Sequence, residues 1–387
     1  MDDTTGFRVS DFDYILPQAL IAQTPIEPRD ASRLLVLDGS NGTIEHRHFR
    51  DIGAFLRPGD LLIANQSRVL PARLLGRRAE TGGAVEVLLL AERPDLGPDH
   101  WETLVRPGRR LREGSHIVFA DETGTKQAVT LWAEILQRTE AEGRIVRFWV
   151  EDAESPAPAP PSAPSPLPGE GWGEAQARHR IGVRELIEQV GRMPLPPYIH
   201  ETLADPERYQ TVYARITGSA AAPTAGLHFT PHLLEQLRSQ GVRVGFVTLH
   251  VGLDTFRPIE SEDIREHKMH SEAIDLDAPT AELINETRRA GGRVVAIGTT
   301  AVRVLESVAG FYKGHIEPYH GATHLFITPG YRFQVVDAMI TNFHLPRSTL
   351  LLLVSAFAGK ALIEQAYQEA ICERYRFYSF GDAMLIL

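Results

Sequence analysis

Residues Arg293 to Gly310 read RVVAIGTTAVRVLESVAG. The apolar run Val294 to Ile297 stops at a glycine, and the stretch that opens on two threonines has the texture of a helix. A short apolar run bounded by a turn residue is a strand buried on both faces. A buried strand that passes through a small-residue turn into a helix is the repeating unit of parallel, doubly wound sheets. The same grammar continues upstream. TAELINETRRAGG (280–292) is a helix closed by glycine, VRVGFVTLHVG (242–252) a strand, and HLLEQLRSQG (232–241) a helix opened by Thr230-Pro231 and capped by Gly241. Earlier still, VRELIEQVG (183–191) is helical, MPLPPYI (193–199) is extended, and DPERYQTVYAR (205–215) begins with Asp205 as N-cap and Pro206 at the first position.

The texture differs before residue 179. RLLVLDG, TIEHRHF and DLLIAN are short strands separated by turn residues, within residues 1–64. From about Asn65, six strand-like runs follow one another with no convincing helix between them: VLPARLLGRR, AVEVLLLAE, WETLVRPG, SHIVFAD, QAVTLWAEI and RIVRFWV. That spacing predicts a small antiparallel barrel or sandwich. Residues 152–177 hold seven prolines in a low-complexity tract that cannot build a core. The expected fold is therefore α/β, a mostly parallel sheet domain (1–64 with 179–387) interrupted by an inserted antiparallel β-barrel (65–150), with a proline-rich linker at 151–178.

A hydrophobic share of 43% and a charged share of 23% are ordinary for globular chains. A single cysteine, Cys372, excludes an internal disulfide and a cysteine-rich zinc or iron–sulfur site. The N-terminal MDDTTGFRVSDFDY lacks the pattern of a secretion or transit signal, so a cytoplasmic protein is expected. The net charge of −10 argues against a nucleic-acid partner, but Arg68–Arg78 (RVLPARLLGRR) and Arg106–Arg112 (RPGRRLR) are basic with no acid inside them. Arginine is the better bidentate phosphate ligand.

In doubly wound sheets ligands bind beyond the carboxyl ends of the strands, so polar residues just after strands are the candidates. Four clusters stand out, three after strands and one, GSAAAPTAGLHFT, in a loop whose small side chains let a ligand approach. LHVGLDTFRP supplies His250, Asp254 and Arg257; Gly298, Thr299, Thr300 and Arg303 stand at a turn into a helix; GSAAAPTAGLHFT contains Thr224, Gly226 and His228. The fourth is TNFHLPRSTLLLLVSAFAG (341–359), where Asn342, His344, Arg347, Ser348 and Thr349 precede an apolar run too short to span a membrane. Pro346 fits the first helical position there, and the free N–H groups beside Arg347 suit an anion. His267 and His270 are too sparsely supported to make a metal site.

AQTPIEPRDASRLLVLD, MPLPPYI, YQTVYAR, AAPTAGLHFT, HVGLDTFRP, HKMHSE, GTTAVRVLES, TPGYRF, TNFHLPRSTLLLLVSAFAG and YRFYSFGDAMLIL occur in this order. In these strings the chain resembles the S-adenosylmethionine:tRNA ribosyltransferase-isomerase family from Asp13 to Leu387, departing from it at the proline-rich tract and the short leader. The resemblance implies queuosine biosynthesis: the ribosyl part of S-adenosylmethionine is transferred and isomerised onto 7-aminomethyl-7-deazaguanine at the tRNA wobble position, giving epoxyqueuosine, adenine and methionine. It also implies an α/β domain carrying an inserted barrel, with no metal or other cofactor.

Held against that reaction, Arg347, Ser348 and Thr349 are expected to hold the methionine carboxylate or a phosphate, and Thr299, Thr300 and Arg303 the ribose or a phosphate. Thr224, Gly226, Arg257, Gly298 and Asn342 complete the expected substrate contacts. His228, His250, Asp254 and His344 are the acid–base candidates, because imidazole titrates nearest neutral pH. Arg68, Arg73, Arg77, Arg78, Arg106, Arg109, Arg110 and Arg112 are expected to grip the tRNA stem. A monomer without membrane attachment is expected. The rival readings are an S-adenosylmethionine-dependent tRNA methyltransferase, disfavoured by the lack of a GxG turn after an opening strand, and a non-catalytic RNA-binding protein.

Overall fold

Residues 6–119, 129–139, 143–152, 182–252 and 258–387 are described by the computed structural model, in which the chain divides into two units, Met1–Leu70 with Leu195–Leu387, and Pro71–Pro194. The first begins with β1 (Arg33–Leu37), β2 (Ile44–His48), β3 (Leu61–Asn65) and β4 (Ser67–Val69). The second holds β5 (Arg73–Arg78), β6 (Ala84–Glu92), β7 (His100–Arg106), β8 (His116–Phe119), β9 (Val129–Arg138), β10 (Arg144–Asp152) and helix α1 (Val183–Val190). The chain then returns to the first unit with β11 (Ile216–Ser219), α2 (Pro231–Ser239), β12 (Arg243–Leu249), β13 (Glu272–Leu276), α3 (Ala278–Arg289) and β14 (Val294–Ile297). It ends with α4 (Gly298–Phe311), β15 (Tyr319–Thr323), β16 (Ala338–Asn342), α5 (Thr349–Ala358), α6 (Lys360–Cys372) and β17 (Ala383–Ile386).

The six runs read as barrel strands form a closed antiparallel barrel in the order β10-β7-β6-β5-β8-β9. Burial alternates along β7 and β9, as it must when one side of each strand faces a filled interior. Closure leaves no unpaired strand edge. Helix α1 packs against β5, β9 and β10 through its buried Leu186 and Ile187, whereas the sequence reading grouped it with the α/β part. Its apolar stripe shows that it covers a core and does not say which. Residues 153–177 of the proline-rich tract lie outside the described residues.

The large sheet of the first unit runs β15-β13-β12-β3-β14-β16-β17-β1-β2. Its centre is parallel, β12 with β3, β3 with β14, and β14 with β16, while β17 is antiparallel to β16 and parallel to β1. The sheet is thus mixed, because strands outside the β-α-β rhythm pair at both flanks. Both faces are covered, and the residues alternate between two cores. Val294 and Ala296 face the core containing Ala301, Val304, Leu305 and Val308 of α4 and Leu352 of α5. Val295 and Ile297 face the core containing Phe49, Phe229 and Leu233, Leu234 and Leu237 of α2. Helices α5 and α6 meet at Gly359 with a bend of 113°, and among the described residues no single helix is long and apolar enough to cross a membrane.

One buried acid organises the approach to β16. The carboxyl of Glu306 on α4, fully buried, accepts from the N–H groups of Gln334 (2.8 Å), Val335 (3.0 Å) and Val336 (3.0 Å) and from the Tyr331 hydroxyl (3.1 Å). Replacing Glu306 by leucine strands three backbone donors, and urea denaturation should show a loss of roughly 3 kcal/mol or more. Glu306→Gln, which keeps one acceptor, should lose less; equal loss in the two variants would show that side-chain volume, not donor satisfaction, is what matters there.

Candidate active site

Strands β12, β3, β14 and β16 end on the same side of the sheet, and a cleft opens beyond their carboxyl ends. Its lining comes from four chain segments: 222–225, Val251 after β12, 298–300 at the start of α4, and 341–345 at the end of β16. Leu350 of α5 and Tyr198, Tyr378 and Ser379 complete the wall. At the foot of the cleft Asn65, fully buried, accepts from the Leu249 N–H and donates to the Leu249 carbonyl, locking the end of β3 to that of β12.

Gly298 sits at φ +85°, a left-handed conformation that strains any residue with a Cβ, and it turns the chain from β14 into α4. The first N–H groups of α4, the 93% buried Thr299, and Thr300, whose hydroxyl finds no partner among the described residues, therefore meet the cleft. A helix start with free donors favours an anionic or polar ligand group.

Asn342 links this wall to His228. The Thr224 hydroxyl donates to Asn342 Oδ1 at 2.8 Å, and Asn342 Nδ2 faces His228 Nε2 at 3.2 Å. On its other side His228 Nδ1 meets Ser32 Oγ at 2.7 Å, and its ring stacks on Phe49 at 5.0 Å. His228 is buried behind the cleft and does not line it. His344 does line it; its Nε2 lies 2.8 Å from Thr341 Oγ1, its N–H donates to the Tyr367 hydroxyl at 2.9 Å, and its carbonyl accepts from Tyr14.

Burial pushes His344 down to about 3, and burial together with the charges of Arg376 and Arg29 does the same to His228. Both rings are neutral at physiological pH, which corrects the expectation that they titrate near neutrality: a site dry enough to fix them disfavours the imidazolium.

Several expected contacts lie elsewhere. Arg303 is buried against Glu272 and donates to the Leu325 carbonyl at 3.2 Å, so it braces β13 and does not reach the cleft lining. Glu272 in turn accepts from the Gly252 N–H at 3.1 Å and meets His270 at 3.2 Å. His250 packs beside Gly218 while its neighbour Val251 lines the cleft. Gly226 is small for a packing reason: an added Cβ would fall 2.1 Å from the Tyr213 hydroxyl. Ser348 is the N-cap of α5, accepting from Leu351 at 3.2 Å and donating to the Leu345 carbonyl at 2.7 Å, so the helix starts at Thr349 and Pro346 precedes it. Arg347 has φ +54° and is directed to Glu262 at 3.5 Å. Both helix starts border the cleft, α4 through Gly298, Thr299 and Thr300 and α5 through Leu350, while Arg347 and Ser348 are not in its lining. Asp254 and Arg257 lie outside the described residues.

The arginines divide likewise. Arg68 lies on β4 in the sheet unit, paired with Glu207, and is not part of the barrel. Arg73 is bonded to Glu86 at 3.0 Å and Arg77 to the Gly82 carbonyl at 3.3 Å, while Arg78 is only partly exposed. Arg106, Arg110 and Arg112 are exposed on the turn between β7 and β8, and the Arg109 side chain lies outside the described residues. Among the described residues no three His, Cys, Asp or Glu side chains come together as a metal site.

The depressed histidines carry a stability consequence. The unfolded chain takes up protons near the ordinary value of 6.5, which the folded rings refuse until about 3. Their contribution is complete above about 6.5 and is lost as pH falls toward 3. Urea midpoints measured from pH 7 to pH 4 should therefore fall more shallowly for His228→Gln than for the unaltered chain; an unchanged slope would mean that His228 protonates freely in the fold.

The family model described as "Queuosine biosynthesis protein" matches residues 9–386. The chain is 54% identical over 381 residues to the S-adenosylmethionine:tRNA ribosyltransferase-isomerase of Symbiobacterium thermophilum, covering 98% of this chain and all of that one. It is 52% identical over 380 residues to the protein of the same name from Moorella thermoacetica, at the same coverage. Among solved structures, the S-adenosylmethionine tRNA ribosyltransferase of Thermotoga maritima is 39% identical, covers 98% of this chain and all of its own, and superposes with a TM-score of 0.51. A match of this length, over both the sheet unit and the barrel, means that the chain belongs to the queuosine biosynthesis protein family.

Proposed function

We propose that this protein is an S-adenosylmethionine:tRNA ribosyltransferase-isomerase, acting as a cytoplasmic monomer on tRNA that carries 7-aminomethyl-7-deazaguanine at the wobble position. The observation that carries the reading is the identity, above half, with two relatives of that name over 98% of the chain. The strand-end cleft supports it as the place where the donor binds. S-Adenosylmethionine is a substrate here, and no metal or further cofactor is invoked.

In this reading the start of α4, with Gly298, Thr299 and Thr300, receives the methionine carboxylate or the ribose hydroxyls, where free N–H groups favour them. Thr224 and Asn342 orient the ribosyl part, and His228 acts one layer back by fixing Asn342. His344 is the proton acceptor nearest the reacting atoms: a neutral ring at physiological pH presents a lone pair without first losing a proton. Its low basicity suits passing a proton on through Thr341 better than storing one. The aminomethyl nitrogen loses a proton and forms one C–N bond to the ribosyl skeleton. The C5′–S bond breaks to release methionine and the glycosidic C–N bond breaks to release adenine, which takes up a proton, while loss of a proton from C5′ and ring closure within the isomerised ribosyl skeleton balance the second departure.

The test is a single-turnover reaction of the purified chain with S-adenosylmethionine and the aminomethyl-deazaguanine tRNA, scored by adenine release and by the mass of the digested nucleoside. Adenine, methionine and an epoxyqueuosine mass are expected; S-adenosylhomocysteine would mean a methyltransferase, and no product would leave a binding protein. In the same assay His344→Ala should be slower by about 100-fold or more, and an unchanged rate would remove His344 from the chemistry.

The exposed arginines at the β7–β8 turn supply the contacts to the tRNA backbone, each neutralising a phosphate. Replacing Arg106, Arg110 and Arg112 together by glutamine should weaken tRNA binding and reduce the slope of log K against log salt by about 2 to 3. An unaltered slope would place the tRNA on another surface.

A further inference from the structure

The cleft lining contains no Asp, Glu, Lys or Arg among the described residues, yet the donor proposed to bind there carries a sulfonium cation. A cation that meets no carboxylate is held by hydroxyl and carbonyl dipoles and by the faces of aromatic rings. The lining offers such faces on one side, where Tyr198 and Tyr378 pack with ring centroids 4.9 Å apart.

The backbone gives the second argument. Tyr378 has φ +71°, in the left-handed region where a bulky side chain is an outlier and glycine would sit without strain. The surrounding turn holds it there: Tyr378 N–H donates to the Phe343 carbonyl at 3.2 Å, Gly381 N–H to the Tyr378 carbonyl at 2.9 Å, and the Asp382 carboxyl accepts from the N–H groups of Arg376 (2.7 Å) and Arg33 (2.9 Å). The next residue, Ser379, also lines the cleft and bonds the Tyr198 hydroxyl at 2.7 Å, so one turn fixes both rings. A tyrosine kept at a glycine-like position, in a wall beside a ligand cleft, has its reason in the side chain.

We propose that Tyr378, braced by Tyr198, is the wall against which the sulfonium of S-adenosylmethionine rests, and that it sets the preference for this methylated cation over the uncharged, demethylated thioether. The inference rests on the reading of the cleft as the donor site. Tyr378 and Tyr198 are then specificity residues for the donor, acting through their ring faces.

Calorimetric titration of S-adenosylmethionine and of S-adenosylhomocysteine into the full chain tests this, with tRNA bearing plain guanine at the wobble position so that no transfer occurs. The two ligands differ only at sulfur, in its charge and its methyl group, so loss of fold integrity weakens both, whereas loss of the contact with the sulfonium centre changes their ratio. Tyr378→Leu should shift the ratio of the two dissociation constants against the sulfonium by about five- to thirtyfold, with Tyr198→Leu shifting it in the same direction and Tyr378→Phe leaving it unchanged. Equal weakening of both ligands in the two leucine variants would overturn the proposal, and if Tyr378→Leu does not fold, Tyr198→Leu decides it. An unaltered chain that binds neither ligand would instead overturn the reading of the cleft, and the proposal with it.

Discussion

Burial on both faces of β3, β14 and β16 is the constraint on which the rest of the sheet unit depends. With Leu61, Val294 and Met339 in one core and Leu62, Val295 and Ile340 in the other, no position in the middle of these strands tolerates a polar group. Polar chemistry is displaced to the strand ends, and there it appears: Asn65 at the end of β3, Gly298 and the threonines after β14, Thr341 and Asn342 at the end of β16. The cleft is a product of the same burial that stabilises the sheet. Several of its polar groups are already paired, Thr224 with Asn342, Asn342 with His228, His228 with Ser32, and Thr341 with His344. Pairs of this kind fix geometry before substrate arrives, which is where a transferase gains most from its scaffold.

The electrostatics follow from that dryness. Among the described residues formal charge stays out of the lining, and the buried Arg303 and Glu272 compensate each other one layer away. Glu272 also holds the Gly252 N–H, so the ion pair braces the strand exit that presents Val251 to the cleft. Removing one partner of such a pair leaves an uncompensated charge and costs far more than the pair contributes. A basic residue that the sequence offers as a ligand contact is therefore explained by support of the backbone.

Much of the fold is legible in the sequence because it follows from periodicity and turn chemistry. Val294 to Ile297 announces a doubly buried strand, and six evenly spaced strand-like runs announce a barrel. Pairing is not legible in the same way: nothing local to Ala383–Ile386 shows that it lies between β16 and β1, and nothing in VRELIEQVG shows which core its stripe covers. At the site, residues defined by strand ends converge on the cleft, namely Thr224, Gly298, Thr299, Thr300, Asn342 and His344. Among the described residues, those chosen for charge, Arg303 and Arg347, do not. Arg347 and Ser348 read as an anion site, but a positive φ turns the first to Glu262 and capping occupies the second. Tyr198 and Tyr378 escaped attention because a tyrosine announces neither a left-handed backbone nor a cleft wall; the only trace is the turn-like YSFGD around Tyr378.

Among the described residues the lining holds no acid and one neutral imidazole, His344, with a second, His228, one layer behind it, and this has a consequence for proton traffic. On the proposed reaction, the ribosyl C5′ and the incoming amine give up protons while the departing adenine takes one up. Neither His228 nor His344 carries a proton to lend at neutral pH, since each is held near 3. The proton that reaches adenine is then most economically one the substrates themselves have released, moved along hydrogen-bonded groups such as Thr341 and His344, 2.8 Å apart. A relay that starts and ends neutral needs no separate acid of raised pKa, and it returns to its resting state when the products leave. Burial, which makes these histidines poor stores of charge, is what suits them to that passing role.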